Sequence, residues 1–199
     1  SCALWGGDAS VKSTLPGKSR MKRALCFYGN PILREKAKPV TEFDDALRVL
    51  AADMVETMHA ESGIGLAGPQ IGVDRRIFVM EIPEDMDEDD EGSPANPGVT
   101  YPLVVVNPEI SDASPKREDM EEGCLSIPEV RGKVSRPVSI TLKYQNLQGE
   151  SCELRLKHLA ARCAMHETDH LDGVLFVDLL SPVKRVAIKG KLKRLKEQS

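Results

Sequence analysis

The sequence predicts an α+β fold. Helical periodicity is confined to three segments, strand-like runs outnumber them, and the two are not interleaved as repeating strand–helix–strand units. The clearest strand signal is a period of two on both sides of the turn "NLQG": from 138 to 144 Val, Ile, Leu and Tyr alternate with Ser, Thr and Lys, and Cys152, Leu154 and Leu156 alternate again. That pattern predicts a hairpin with one buried face.

In chain order, residues 1–20 carry no apolar periodicity, and Met21 opens a stretch that reads like a natural beginning. They are expected to be a disordered tag, a processing remnant or a transit remnant, leaving 21–199 as one domain. Asp44 to Met58 places Leu47, Leu50, Met54 and Met58 three and four residues apart, which predicts an amphipathic helix. "RIFVMEI" (76–82) and "LVVVN" (103–107) read as strands, and the stretch between them, where seven of the eight residues 84–91 are acidic, reads as a solvated loop. After the hairpin a helix is expected from about Lys157 to His170, stopped by Gly173, and a last helix, rich in lysine and arginine, from Pro182.

Composition narrows the function. A chain of 199 residues with 41% hydrophobic and 29% charged residues can bury a core without needing a metal to fold. A formal net charge of -4 gives no general attraction to nucleic acid, and no apolar run reaches the length of a membrane span. Five scattered cysteines, an odd number, argue against a disulfide framework and for a reducing compartment.

"MHETDHLDG" (165–173) carries the chemistry. His166 and His170 fall one turn apart on one helical face, the spacing by which two imidazoles grip one ion. A catalytic site of the zinc type needs a third protein ligand and one open position. Metallopeptidases that extend H-E-x-x-H place a third histidine three residues after the glycine; here that residue is Phe176, and the only downstream glutamate is Glu197. Cys163 shares the helical face but lies about 10.5 Å along the axis from His170, too far to converge on the same ion. His59 and His158 fit surface or core positions. Cys26 and Cys152 sit in apolar runs, which leaves Cys124, in the turn-like "EEGCLSIP", as the best candidate. "GIGLAG" (63–68) matches a dinucleotide fingerprint in letters only: a helix precedes it and Pro69 follows it, the reverse of the context that motif requires.

"GIGLAGPQ" (63–70), "EGCLS" (122–126) and "HETDH" (166–170), in that order, resemble the three signature motifs of the peptide deformylases, and the resemblance runs from about Met21 to the C-terminus through "PILR" and "GVLFVDLLSP". It implies antiparallel or mixed sheets around a central helix bearing HETDH, and one divalent metal per chain on Cys124, His166 and His170. Iron(II) is the expected native ion, with zinc, nickel or cobalt able to occupy the site. It implies Glu167 as the proton carrier, and the Gln70 side-chain amide and Leu125 backbone N–H as donors to the developing oxyanion.

The substrate implied is the formyl-methionine end of newly made polypeptides. Ile64, Leu159 and Cys163 would line the methionine slot, Gly65 and Gly123 would offer backbone groups to the peptide, and Arg131 would meet it further along. Asp169 would act from behind the ligands and Arg162 would tune the second peptide residue. Two departures from the family pattern, Met165 for glutamine and Gly68 for alanine, bear on packing. The alternative enzyme is a metallopeptidase cutting internal bonds, and the non-enzymatic one a closed structural metal module. The basic final helix suggests ribosome docking by charge rather than by nucleic-acid sequence. The compartment expected is a bacterial cytoplasm, or a mitochondrion or plastid if 1–20 are a transit remnant.

Overall fold

The computed structural model describes residues 21–198; the expectation for 1–20 lies outside the described residues. Helix α1 (Asp45–Ala60) starts where Asp44 accepts a hydrogen bond from the Leu47 N–H at 2.9 Å, satisfying one of the N–H groups a helix start leaves unpaired. Its stripe of Leu47, Leu50, Met54 and Met58 is buried as the spacing predicts.

A five-stranded antiparallel sheet follows the order β1-β2-β3-β6-β7, built from β1 (Gly65–Ala67), β2 (Ile77–Met80), β3 (Leu103–Ser111), β6 (Ser139–Gln145) and β7 (Ser151–Lys157). β6 and β7 are the predicted hairpin, in register from Ser139↔Lys157 to Gln145↔Ser151. β2 reads as an unbroken apolar run because both of its faces are covered. Phe78 and Met80 pack in the cluster that contains helix α2 (His158–Leu171), while Ile77 and Val79 pack with α1.

The α+β expectation therefore holds, and α2 is the central helix, buried almost without interruption from Ala160 to Glu167. It ends at Gly173, whose φ of 73° suits glycine. A Cβ there would also meet the Arg34 carbonyl carbon at 2.8 Å.

Two elements depart from the sequence reading. Residues 65–67, read as part of a glycine loop, form the short edge strand β1. A second sheet, β4 (Arg117–Cys124) with β5 (Ile127–Pro137), was not expected. β4 reads "REDMEEGC", with half of its residues exposed and Met120 its one large apolar residue before Cys124, so it lacks the apolar alternation that signals a strand. The inward face of β5, through Ile127, Val130 and Val134, packs on Phe176, Leu180 and Ile188. Ile188 belongs to the last helix, α3 (Pro182–Gln198), and is its only buried residue.

Candidate active site

Three elements converge on one cleft of about 700 Å³: β1 with the 3-10 turn Gly68–Ile71 behind it, the β4–β5 turn, and α2. Its lining includes Ile64, Gly65, Gln70, Gly123, Cys124, Leu125, Arg131, Leu159, Cys163, His166 and Glu167, so the residues singled out from the sequence are brought together. His170 stands one helical turn beyond His166, with ring centroids 5.0 Å apart.

Cys124 reaches the two imidazoles because the β4–β5 ladder is irregular at this point. Gly123 pairs with Arg131 but Cys124 pairs with Ile127, so Pro128, Glu129 and Val130 bulge out of β5, with Glu129 at φ 62°. Bulges of this kind re-aim a neighbouring side chain. One ligand atom each of Cys124, His166 and His170 lies within 4.8 Å of the others, and Sγ of Cys124 is 3.2 Å from Nε2 of His170. A soft thiolate with two imidazoles, three protein donors in all, fits a catalytic site for zinc, iron or a neighbouring divalent ion. Cys163 is outside this cluster and packs as cleft wall, its Sγ 3.4 Å from the Ile64 carbonyl oxygen. Phe176, which stands where extended metallopeptidase motifs place a third histidine, instead stacks on His166 at a centroid distance of 6.1 Å.

The network behind the cluster was only partly visible in the sequence. Glu122, not singled out there, is 6% exposed and sits 3.0 Å from Nδ1 of His166, leaving Nε2 of that ring for the cluster. Carboxylates in this position fix the tautomer and orientation of a ligand histidine. Glu122 also accepts from Arg136 Nε at 2.6 Å and Nη2 at 3.0 Å, and Asp169 accepts from Arg136 Nη1 at 2.8 Å. Asp169 thus contacts Arg136, through which it joins the Glu122 network. Burial alone would raise the Glu122 carboxyl, but hydrogen bonds from His166 and Arg136 overcome it and hold the group at about 2.

Arg162 corrects an expectation: its guanidinium is turned into the protein, not toward a peptide, and bonds Glu122, Val134 and Glu118. Only its stem is left for the cleft wall.

Charge states suit a metal. Burial, then the charges of His166, Arg136 and Arg34, holds His170 well below the ordinary histidine range, so it is neutral with a free lone pair. Burial also disfavours a charged His166, but hydrogen bonds to Cys124 and Glu122 prevail and raise it well above that range, so in the metal-free protein an ion must displace its proton. Burial pushes Glu167 up to about 7, and its Oε2 is buried without a hydrogen-bond partner. A cation in the cluster acts the other way and favours the carboxylate.

Gln70 is fixed by its own turn. Its Oε1 accepts from the Ala67 N–H at 2.8 Å, which directs Nε2 to Cys124 Sγ at 3.5 Å and Ser126 Oγ at 3.3 Å. Two glycines here have steric reasons. A Cβ on Gly65 would run into Glu167 Oε1 and lie 2.8 Å from Cys163 Sγ; one on Gly68 would lie 2.9 Å from the Arg75 and Val73 carbonyls, which accounts for glycine at that departure.

The Glu122 network makes a testable demand. Glu122→Gln is expected to weaken cobalt(II) binding about 10–100-fold, the usual cost of losing a partner behind a ligand. It should also destabilise the metal-free fold by several kcal/mol, because among the described residues the buried Arg162 guanidinium loses its carboxylate partner and Arg136 keeps only Asp169. Cobalt titration and thermal unfolding read these separately, and unchanged cobalt affinity would exclude the orienting role.

The description "Polypeptide deformylase" belongs to the family model that matches residues 22–186. The peptide deformylase of Thermotoga sp. (strain RQ2) is 44% identical over 165 residues, covering 83% of this chain and 91% of the relative. Among solved structures, peptide deformylase from Thermotoga maritima aligns at TM-score 0.70 and 42% identity, covering 81% of this chain and 99% of that one. The enzyme from Ehrlichia chaffeensis aligns at TM-score 0.78 and 34% identity, covering 89% and 98%.

Proposed function

The chain belongs to the peptide deformylase family and hydrolyses the formyl group from the formyl-methionine end of new polypeptides, and we propose that it does so at one divalent metal held by Cys124, His166 and His170, with Glu167 moving the proton. The observation that carries this is the convergence of one thiol and two imidazoles within 4.8 Å in the cleft that Glu167 lines.

When bound, the metal supplies Lewis acidity, lowering a water's pKa toward about 7 and polarising a carbonyl. The chain's own groups do the rest. Glu167 takes one proton from the attacking water. As the formamide C–N bond breaks it passes that proton to the nitrogen, so an amine and formic acid are formed, and the acid gives up its remaining proton to the amine or solvent as formate. Gln70 Nε2 and the Leu125 N–H donate to the oxygen that gains negative charge, a contribution of about 3–4 kcal/mol per well-placed donor. Ile64, Leu159, Cys163 and the stem of Arg162 form the apolar wall for methionine. Gly65 and Gly123 lie at strand edges flanking the cleft, where an extended peptide can add as a further strand, and Arg131 is exposed at its rim to meet later residues.

Iron(II) is proposed as the native ion, since a Cys-His-His set accepts it, although affinity alone favours zinc. Formate release from formyl-Met-Ala-Ser, measured anaerobically for iron, nickel, cobalt and zinc forms of known metal content and again after air exposure, tests both levels. The iron form should be fastest and should decay in air as thiolate and metal oxidise. An iron form no faster than zinc removes iron; no formate from any form, with an unformylated protein cut instead, removes the activity itself.

Such substrates exist where translation begins with formyl-methionine: the cytoplasm of a bacterium, or a mitochondrion or plastid. Among the described residues no helix is long and apolar enough to cross a membrane. The α3 surface, with Lys184, Arg185, Lys189, Lys191, Lys193, Arg194 and Lys196, is proposed to dock on ribosomal RNA phosphates. Truncation before Lys189 is expected to weaken ribosome co-sedimentation at low salt and leave hydrolysis of a short formyl peptide nearly intact; unchanged co-sedimentation removes docking.

A further inference from the structure

Arg162 is 5% exposed, stands on α2 one turn before His166, and bonds to both strands of the hairpin that carries Cys124. Its Nη1 donates to Val134 O on β5 at 2.9 Å and to Glu122 Oε1 on β4 at 2.7 Å, and its Nη2 donates to Glu118 O on β4 at 2.7 Å. Arg136, within β5, closes the same carboxylate from the other side through Nε and Nη2.

We infer that Arg162 is a positioning residue that sets the spacing between the thiolate of the hairpin and the imidazoles of the helix. The two groups of ligands come from different elements. Neither the α2 backbone nor the β4–β5 ladder can fix the gap between them by its own hydrogen bonds. The other side-chain cross-links at this height, Glu122 to His166 and Arg136 to Asp169, also join the hairpin to α2, but each ties down one side chain at each end. Among the described residues, Arg162 alone donates from one side chain to the main chain of both hairpin strands, and the main chain determines where Cys124 sits. A planar guanidinium serves three acceptors at fixed angles, which a lysine ammonium, a point donor on a flexible stem, does not reproduce.

The inference rests on Cys124, His166 and His170 as ligands, and its test separates the two. Cobalt(II) affinity and the intensity of the thiolate-to-cobalt absorption are measured for the wild type, R162M, R162K and C124A, with thermal unfolding of each metal-free protein. R162M keeps the apolar stem on the cleft wall and is expected to bind cobalt about 10–100-fold more weakly, with a diminished thiolate band, as when a group supporting a ligand is lost. R162K, which keeps the charge and is the variant that stands if R162M does not fold, is expected to recover less than half of that loss on a logarithmic scale. Wild-type affinity and absorption in R162M, or full recovery in R162K, overturns the inference. If C124A also binds cobalt normally, the ligand assignment fails instead.

Discussion

Cys124→Ala is expected to leave the protein without tightly held metal and without measurable formate release. The remaining donors, His166 and His170, are neutral when they bind, so the cysteine is the only ligand in the cluster that brings negative charge. Its loss also removes one of the two hydrogen-bond partners of Gln70 Nε2, a proposed oxyanion donor, leaving Ser126 Oγ. The wild type should retain about one metal per chain through dialysis, and the variant almost none. Cys163→Ala is the informative control, because that thiol is buried on the same helix yet lies outside the cluster. It should keep its metal. A Cys124→Ala protein with full metal, beside a loss in Cys163→Ala, Cys152→Ala or Cys26→Ala, reverses the assignment.

Glu167→Gln is expected to keep the metal and lose at least roughly 10²–10⁴-fold in turnover, the range for a general base. Glutamine matches the carboxylate in shape but cannot take a proton, and no ligand atom is changed. Near-normal turnover would end the role. The same variant has a second readout in metal-free protein. Burial raises the folded-state pKa of Glu167 to about 7, above its ordinary 4.5. The folded chain therefore holds this proton through a range where the unfolded chain has released it. The stabilisation is complete below about pH 4.5 and is lost as the pH rises through about 7. Glu167→Gln should flatten that part of the stability-against-pH curve.

Most of the fold was legible because its strongest patterns are set by burial on one side. The α1 stripe and the β6–β7 alternation each read directly, and the metal helix was marked by its two histidines and its closing glycine. β4 escaped because charge covers its outward face, and β1 because three residues are too few to show a period. Within the site, the Cys124, His166, His170 and Glu167 side chains that converge on the cleft were marked in the sequence by type and spacing. Glu122 and Arg136 were not, because their role lies in a buried contact between separate elements, 14 residues apart and with no local pattern to mark it. Glu122 stood inside "EGCLS", on a strand whose run of charged residues carried no sign that this one carboxylate is buried. The partners of the Arg162 head group were not legible for the same reason: a helical wheel says which way a stem leaves the helix, not which acceptors its head group will find.

Gly65 carries a consequence for how the enzyme can change. Every other residue has a Cβ, and at this position a Cβ collides with the Glu167 carboxylate and the Cys163 sulfur. A side chain can be introduced here only if the Glu167 carboxylate, the proposed proton carrier, moves as well. An inhibitor that gains its affinity from the wall at Leu159 or Ile64 faces surfaces that selection can reshape one methyl at a time. One that pairs with the backbone at 65 presses on a place where escape and activity are the same loss.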